Sequence, residues 1–349
     1  MDDSLNIRRA QIEGCLLGCA VGDSVCLPYE GMSARRVNKF VRAPLQHRFF
    51  FGRGMVSDDT DHSIFVAQAL SRYPTDPMRF SRALAWRFRF WLLCLPAGIG
   101  LATLKSILRL WLGIPPSRSG IFSAGNGAAM RSAVIGVCHS EDHSLRRKMV
   151  SASSRITHSD PRGDYGAQAI AALASVACHH VGKPELTLIE SVLLDSGKGE
   201  EWREVVQRTL AACSSGAVEN AVAMSDRERG VSGYIYHTLP VAVAAWYVHF
   251  GDFRRTIEST VRLGGDTDTV AAIAGSLAGV SSAKEGIPGD WIVGIYDCPH
   301  SASYISSLAR ALDEGDESDT RFSWMLFPRG LIFMAIVLAH GVRRLFPPY

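Results

Sequence analysis

The sequence predicts an all-α protein, a compact single-domain helical bundle. Three observations carry that reading. Apolar residues recur mostly at helical spacing, and clean period-two alternation is nearly absent. Ala-rich stretches such as 167–177 and 269–280 suit internal helices whose small side chains permit close approach. Helix breakers and polar loops, Gly113–Ser117, Ser159–Asp164 and Asp195–Gly199, separate the periodic segments.

Taken in order, the segment Gly14–Glu30 reads as an Ala/Gly/Leu helix that ends in an acid-bearing loop, with Asp23 and Glu30 as its acids. Helices are then predicted over Ser63–Arg72, Phe80–Leu93, Thr103–Leu112 and Ala129–Cys138. Five more follow, over Gly166–His180, Trp202–Cys213, Leu239–Val248, Phe253–Leu263 and Thr269–Ser281. The acidic stretch Asp313–Asp319 reads as a solvated loop. No repeat or linker divides the chain, so residues 1–320 are expected to form one domain, with 321–349 as an appendage. In that tail, the apolar run from Gly330 to His340 covers roughly ten residues, about half of what spans a bilayer, and predicts a helix docked on the core.

With 349 residues, 47% of them hydrophobic and 20% charged, the chain can bury a sizeable core. A net charge of +3 with scattered basic residues gives no footprint for nucleic acid. The eight cysteines form no CxxC pair and no Cys/His zinc pattern, so they read as free thiols of a reducing compartment. Cys15 and Cys19 read as buried small hydrophobes. The polar N-terminus lacks the apolar core of a secretory signal, and a cytoplasmic protein is expected.

Two acidic clusters stand out, Ser57-Asp58-Asp59-Thr60-Asp61 and Gly264-Gly265-Asp266-Thr267-Asp268-Thr269. Each lies where a loop turns into a helix. A helix N-terminus favours ionised carboxylates, and a cation holds repelling ones together. Either cluster alone could be no more than an N-cap with an acidic first turn. Together they offer an all-oxygen donor set suited to Mg²⁺ or Mn²⁺, and a dinuclear hydrolytic centre if the fold unites them. Asp266-Thr-Asp268-Thr-Val270 also matches the nucleophile pattern of haloacid-dehalogenase phosphatases, but no apolar strand precedes it and too little chain follows. An EF-hand is excluded because the spaced acidic ligands and the closing Glu are missing.

Three further segments carry polar groups of interest. Glu30 is either a general base beside the metals or a surface carboxylate. The turn Ser123-Ala-Gly125-Asn126-Gly127 feeds a helix and is either an anion cradle or a capped turn. His158 precedes an Ala-rich helix, where a structural role is the plainer alternative.

In this order, GCLLGCAVGDSVCLPYE, SDDTDHS, SAGNGAAMRSA, THSDPRGDYGAQA, GYIYHTL and LGGDTDTVAAIAG resemble the ADP-ribosylglycohydrolase family, from about Ile12 to about Ala283. The resemblance implies a compact all-α fold and two Mg²⁺ or Mn²⁺ ions. Their ligands would be Ser57, Asp58, Asp59, Asp266, Asp268 and Thr269. Ser123, Gly125, Asn126 and Gly127 would cradle the distal ribose and phosphates, His158 would lie on the substrate side, and Tyr234 over the adenosine. Glu30, Asp59 and Asp268 would serve catalysis. The implied reaction is hydrolysis of the bond joining ADP-ribose to a protein side chain or small molecule, by a monomer. The alternative is a non-catalytic ADP-ribose-binding or structural member. Ser57 stands where Thr is more usual. Pro96–Gly100 lacks the carboxylate that arginine-directed bacterial members carry in the corresponding segment, so the linkage stays open.

Overall fold

A computed structural model describes residues 3–41, 44–317 and 322–343. The boundary expected at 320 and the final residues 344–349 lie outside the described residues. The architecture is all-α, as the periodicity predicts. A long N-terminal helix α1 (Asp3–Cys26) leads into a two-residue strand β1 (Met32–Ser33) and a short α2 (Ala34–Phe40). Next come α3 (Asp58–Arg72), α4 (Pro77–Leu93), α5 (Leu101–Trp111) and α6 (Pro116–Ser119). A 3-10 turn, Asn126–Arg131, precedes α7 (Ala133–Cys138), so the segment expected as one helix is two. The middle of the chain forms α8 (His143–Thr157), α9 (Pro161–His179), α10 (Leu186–Ser196), α11 (Glu200–Ser215), α12 (Ile235–Val248) and α13 (Phe253–Val261). The strand β2 (Gly264–Gly265) opens α14 (Thr267–Ser282), followed by α15 (Gly289–Gly294), α16 (Ala302–Glu314) and α17 (Leu326–Arg343).

The spine of the fold is α1 lying antiparallel along α14. Gly14, Gly18 and Gly22 face Gly279, Gly275 and Ala271, and a Cβ built on Gly18 would stand 2.1 Å from the Gly275 carbonyl oxygen. No side chain fits between these backbones. Gly18→Val is therefore expected to cost about 3 kcal/mol or more, the upper end for overpacking. A urea melt showing near-wild-type stability would refute that tight seam. The flanking apolar residues, Leu17, Val21, Val25, Ile273 and Leu277 among them, are fully buried. Cys15 and Cys19 are buried here too, as expected of small hydrophobes.

Two segments differ from expectation. The α1 helix does not end before Asp23; it continues to Cys26, so Asp23 is a helical residue and completely buried. The tail helix is longer than the apolar run suggests. It runs 18 residues, because Arg329, which interrupts the apolar pattern, is itself buried by ion pairing. Among the described residues, the stretches Ile7–Tyr29 and Leu326–Arg343 are long and apolar enough to cross a membrane by length and composition, the former 83% buried within the protein and the latter 22%. Asp313 and Glu314, expected in a loop, close the last turn of α16, which ends at Gly315 in the left-handed conformation.

Candidate metal centre

Both acidic clusters start helices, as their sequence suggests. Ser57 caps α3, its hydroxyl accepting from the Asp59 N–H at 3.3 Å, and Asp266 precedes the first turn of α14. The α1–α14 seam then sets the end of α1 beside the start of α14. One carboxylate oxygen from each of Asp23, Asp59 and Asp268 lies within 4.8 Å of the other two. Asp23 Oδ2 is occupied, accepting from the Ser57 N–H at 2.8 Å and from the Thr60 hydroxyl at 2.5 Å. Asp59 Oδ2 accepts from the Thr269 hydroxyl at 3.1 Å and the Ser57 hydroxyl at 3.3 Å. The second oxygens, Oδ1 of Asp23, Asp59 and Asp268, are all buried without a hydrogen-bond partner.

Three orphaned carboxylate oxygens in one buried place form a donor set that fits a hard divalent cation. Without one, burial first and then mutual repulsion push Asp58, Asp59 and Asp268 well above the ordinary carboxylate range. Burial likewise raises Asp266. Its Oδ2 accepts from Asn126 Nδ2 at 2.6 Å, which ties the Gly-rich turn to the second cluster.

Asp23 is the residue that sequence reasoning missed. The signal was present, since a lone Asp follows the Gly14, Gly18, Gly22 stripe of an otherwise apolar helix. Burial pushes its carboxyl up to about 6, against the opposing pull of the Thr60 and Ser57 donors. An acid raised above its unfolded value near 4 stabilises the native state while protonated. That contribution is complete below about pH 4 and is lost as pH rises through about 6. Metal-free Asp23→Asn is thus expected to gain stability over metal-free wild type as pH rises across this window. Calorimetric scans of both proteins check the sign; a gap that narrows instead would overturn the assignment.

Asp61 belongs to the first cluster in sequence but turns away from it. It pairs with Arg329 at 3.0 Å and His300 at 2.7 Å, and accepts from Trp91 Nε1 at 2.8 Å. Burial alone would raise its carboxyl, yet Arg329 and His300 hold it down at about 2.

The acidic cluster borders a cleft of about 660 Å³, which Asp268 lines. Ser57, Asp58, Asp266, Asp268, Thr269 and Glu30 line it, as do Ser123, Gly125, Asn126, Gly127 and His158. The Glu30 loop is fixed by β1–β2 pairing (Met32 opposite Gly265) and by the Gly31 N–H donating to the Gly265 carbonyl at 2.8 Å. Gly264 and Gly265 both have positive φ, and a Cβ on Gly265 would stand 2.0 Å from the Val231 carbonyl oxygen, so both positions require glycine.

The Gly-rich turn is pinned from behind by the buried Arg131, which donates to the Gly127 carbonyl at 2.6 Å and to the Thr157 hydroxyl at 2.7 Å. The Asn126 N–H, expected to face an anion, instead donates to the Gly233 carbonyl at 3.0 Å. Thr157 Oγ1 accepts from Arg131 and lies 2.8 Å from His158 Nδ1, so its proton goes to that nitrogen. His158 Nε2 then carries the ring proton, on the side facing Gly125. Burial and then Arg131 depress His158 to about 3, which keeps the ring neutral. Tyr234 pairs with Gly125 through its backbone, but its phenol is held by Glu201 at 2.5 Å and is not in the cleft lining; Ser232 and Gly233 take that place.

Comparison with known proteins gives one consistent result. The family model described as ADP-ribosylglycohydrolase matches residues 4–321. The chain is 28% identical to the ADP-ribosyl-dinitrogen reductase glycohydrolase of Rhodospirillum rubrum, over 80% of this chain and 88% of that one. It is also 28% identical to the ADP-ribosylarginine hydrolase Tri1 of Pseudomonas putida, over 88% of this chain and 80% of that one. A solved structure titled as an ADP-ribosylglycohydrolase-related protein complex has the same fold, with a TM-score of 0.67 at 24% identity, covering 89% of this chain and 99% of its own.

Proposed function

The chain belongs to the ADP-ribosylglycohydrolase family, and from that premise we propose that it is a dinuclear metal-dependent hydrolase that cleaves the bond between ADP-ribose and a protein side chain or small molecule. The observation that carries the reading is the trio of orphaned, buried Oδ1 atoms on Asp23, Asp59 and Asp268, the last of which also lines a substrate-sized cleft. Ser57, Asp58, Asp59, Asp266, Asp268 and Thr269, with Asp23, would hold two Mg²⁺ or Mn²⁺ ions. When bound, such ions would hold ribose hydroxyls and supply a polarised water.

This chain's own groups do the rest. The neutral His158 offers a donor at Nε2 to an oxygen of the nucleotide, without competing for a proton. The Gly125 and Gly127 backbones permit close approach beside it. The Ser57 and Thr269 hydroxyls orient Asp59. Glu30, exposed at the cleft edge and near enough to Asp58 and Asp268 to raise both carboxyls, would take a proton from attacking water. Glu30→Gln is expected to lower kcat about 100-fold, the range for general-base loss, while changing the Kd for ADP-ribose less than threefold. Equal losses in both would make it a binding residue.

The test of the function is release of free ADP-ribose from arginine-, serine- and ester-linked conjugates, with Mg²⁺ or Mn²⁺ and with EDTA. Metal-dependent release from any one supports the proposal. No release from any, with ADP-ribose still bound in a calorimeter, would replace it with the non-catalytic binder.

A further inference from the structure

We propose that α17, which lies beyond the residues matched by the family model, builds an apolar wall of the cleft that receives the group attached to ADP-ribose and prefers a neutral apolar group over a guanidinium. The proposal rests on the metal-centre reading above. Phe333 and Val337 of α17 line the same cleft as Asp58, Asp266 and Asp268. They are not stray contacts. Phe333 is buried with Leu27, Phe49 and Met55 in a small apolar cluster, against which Ala97 and Val337 also pack.

Two features lock this wall in place. Arg329, one turn before Phe333, pairs with Asp61 and with Asp297 at 3.1 Å, and donates to the Val56 carbonyl just ahead of the first metal cluster. Gly330 lets α17 press on the end of α4, since a Cβ there would stand 2.0 Å from the Cys94 carbonyl oxygen. The turn that follows, with Ala97, Gly98, Gly100 and Leu101, continues the lining.

The chemistry of the wall follows from its side chains. The carboxylates in the lining are Glu30, Asp58, Asp266 and Asp268, all at the metal centre; the turn 97–103 and α17 contribute none. A guanidinium seated against Leu27, Phe333 and Val337 would shed water without gaining a counter-charge, which is unfavourable. The Phe333 ring already has a cation over it, with the Arg329 guanidinium carbon 5.0 Å from its centroid. A neutral apolar group loses nothing there and buries its surface.

The experiment uses metal-loaded protein and non-cleavable analogues in which carbon replaces the anomeric oxygen, bearing either a phenylalkyl or a guanidinoalkyl group. Plain ADP-ribose is the control. Calorimetry is expected to show the phenylalkyl analogue bound at least tenfold tighter than the guanidinoalkyl one. Phe333→Ala is expected to remove most of that preference while leaving ADP-ribose affinity within about twofold. Val337→Asp, at a half-exposed position that spares the core, is expected to shift the preference toward the guanidinium. Equal affinities in the wild type, or a guanidinium preference there, overturn the proposal. So does a matched loss of ADP-ribose affinity in both variants, which would place the nucleotide itself on the wall. Failure of the wild type to bind ADP-ribose at all overturns the metal-centre reading and this proposal with it.

Discussion

Asp268→Asn is expected to abolish metal binding and ADP-ribose release together while raising the melting temperature of the metal-free protein. The two effects have opposite signs and a single cause. Asp268 is buried among Glu30, Asp266, Asp59 and Asp23, each of which adds to the repulsion on its carboxyl. Removing that charge relieves the metal-free fold, yet it replaces a carboxylate oxygen with an amide nitrogen and takes away the negative charge a hard cation needs. Loss of groups only one shell further out commonly costs 10- to 100-fold in metal affinity or activity, so loss of this ligand should exceed about 100-fold. Mn²⁺ titration by calorimetry and thermal scans with and without the ion read the two effects separately. In the wild type, an ion at 100 times its Kd adds about 2.7 kcal/mol to stability, and the variant should gain almost nothing. Retained activity with unchanged metal affinity would remove Asp268 from the centre.

Arg329→Met is expected to cost about 3–5 kcal/mol in stability, the range for breaking one partner out of a buried pair. Its guanidinium reaches Asp61 and Asp297 at once, with both carboxylates essentially sealed from solvent. With Arg329 gone, Asp297 keeps a donor in the Val56 N–H at 3.2 Å, and Asp61 keeps His300 and Trp91. Neither retains a full counter-charge from an arginine. Arg329→Lys should recover only part of the loss, because one ammonium cannot fork to both carboxylates. Urea melts of the two variants decide the matter; a change below about 1 kcal/mol would show that α17 is held by its apolar contacts alone.

The acidic clusters were legible because helix-capping chemistry and metal chemistry both leave their mark on local sequence. Ser57, Asp58 and Asp59 start α3, and Asp266 and Asp268 start α14, where the pattern puts them. What local sequence could not disclose was the partner of each charge. Asp61 sits two residues from Asp59 and serves a different purpose, since its counter-charge comes from a residue 268 positions away. From local sequence Asp23 reads as a loop residue, because nothing near it says that a helix ending there will meet α14. Polar α8 lacks a clear apolar periodicity, and α10, although apolar, is short and its apolar residues do not stand out as a separate helix. In α12, Pro240 made a later helix start look natural. The helix nevertheless begins at Ile235, because Arg208 donates to the Tyr236 carbonyl that Pro240 cannot serve.

The glycine seam between α1 and α14 also bears on how the centre responds to its ions. Contacts made by main chain alone have no rotamers to exchange, so the spacing between Asp23 and Asp268 is as stiff as the two helices themselves. If the centre takes ions as proposed, loading would require little reorganisation, since the entropy of gathering the carboxylates is spent once, when the chain folds. Under the proposed reading, such a frame would favour ions whose radius suits the fixed gap, leaving only the carboxylate side chains to adjust.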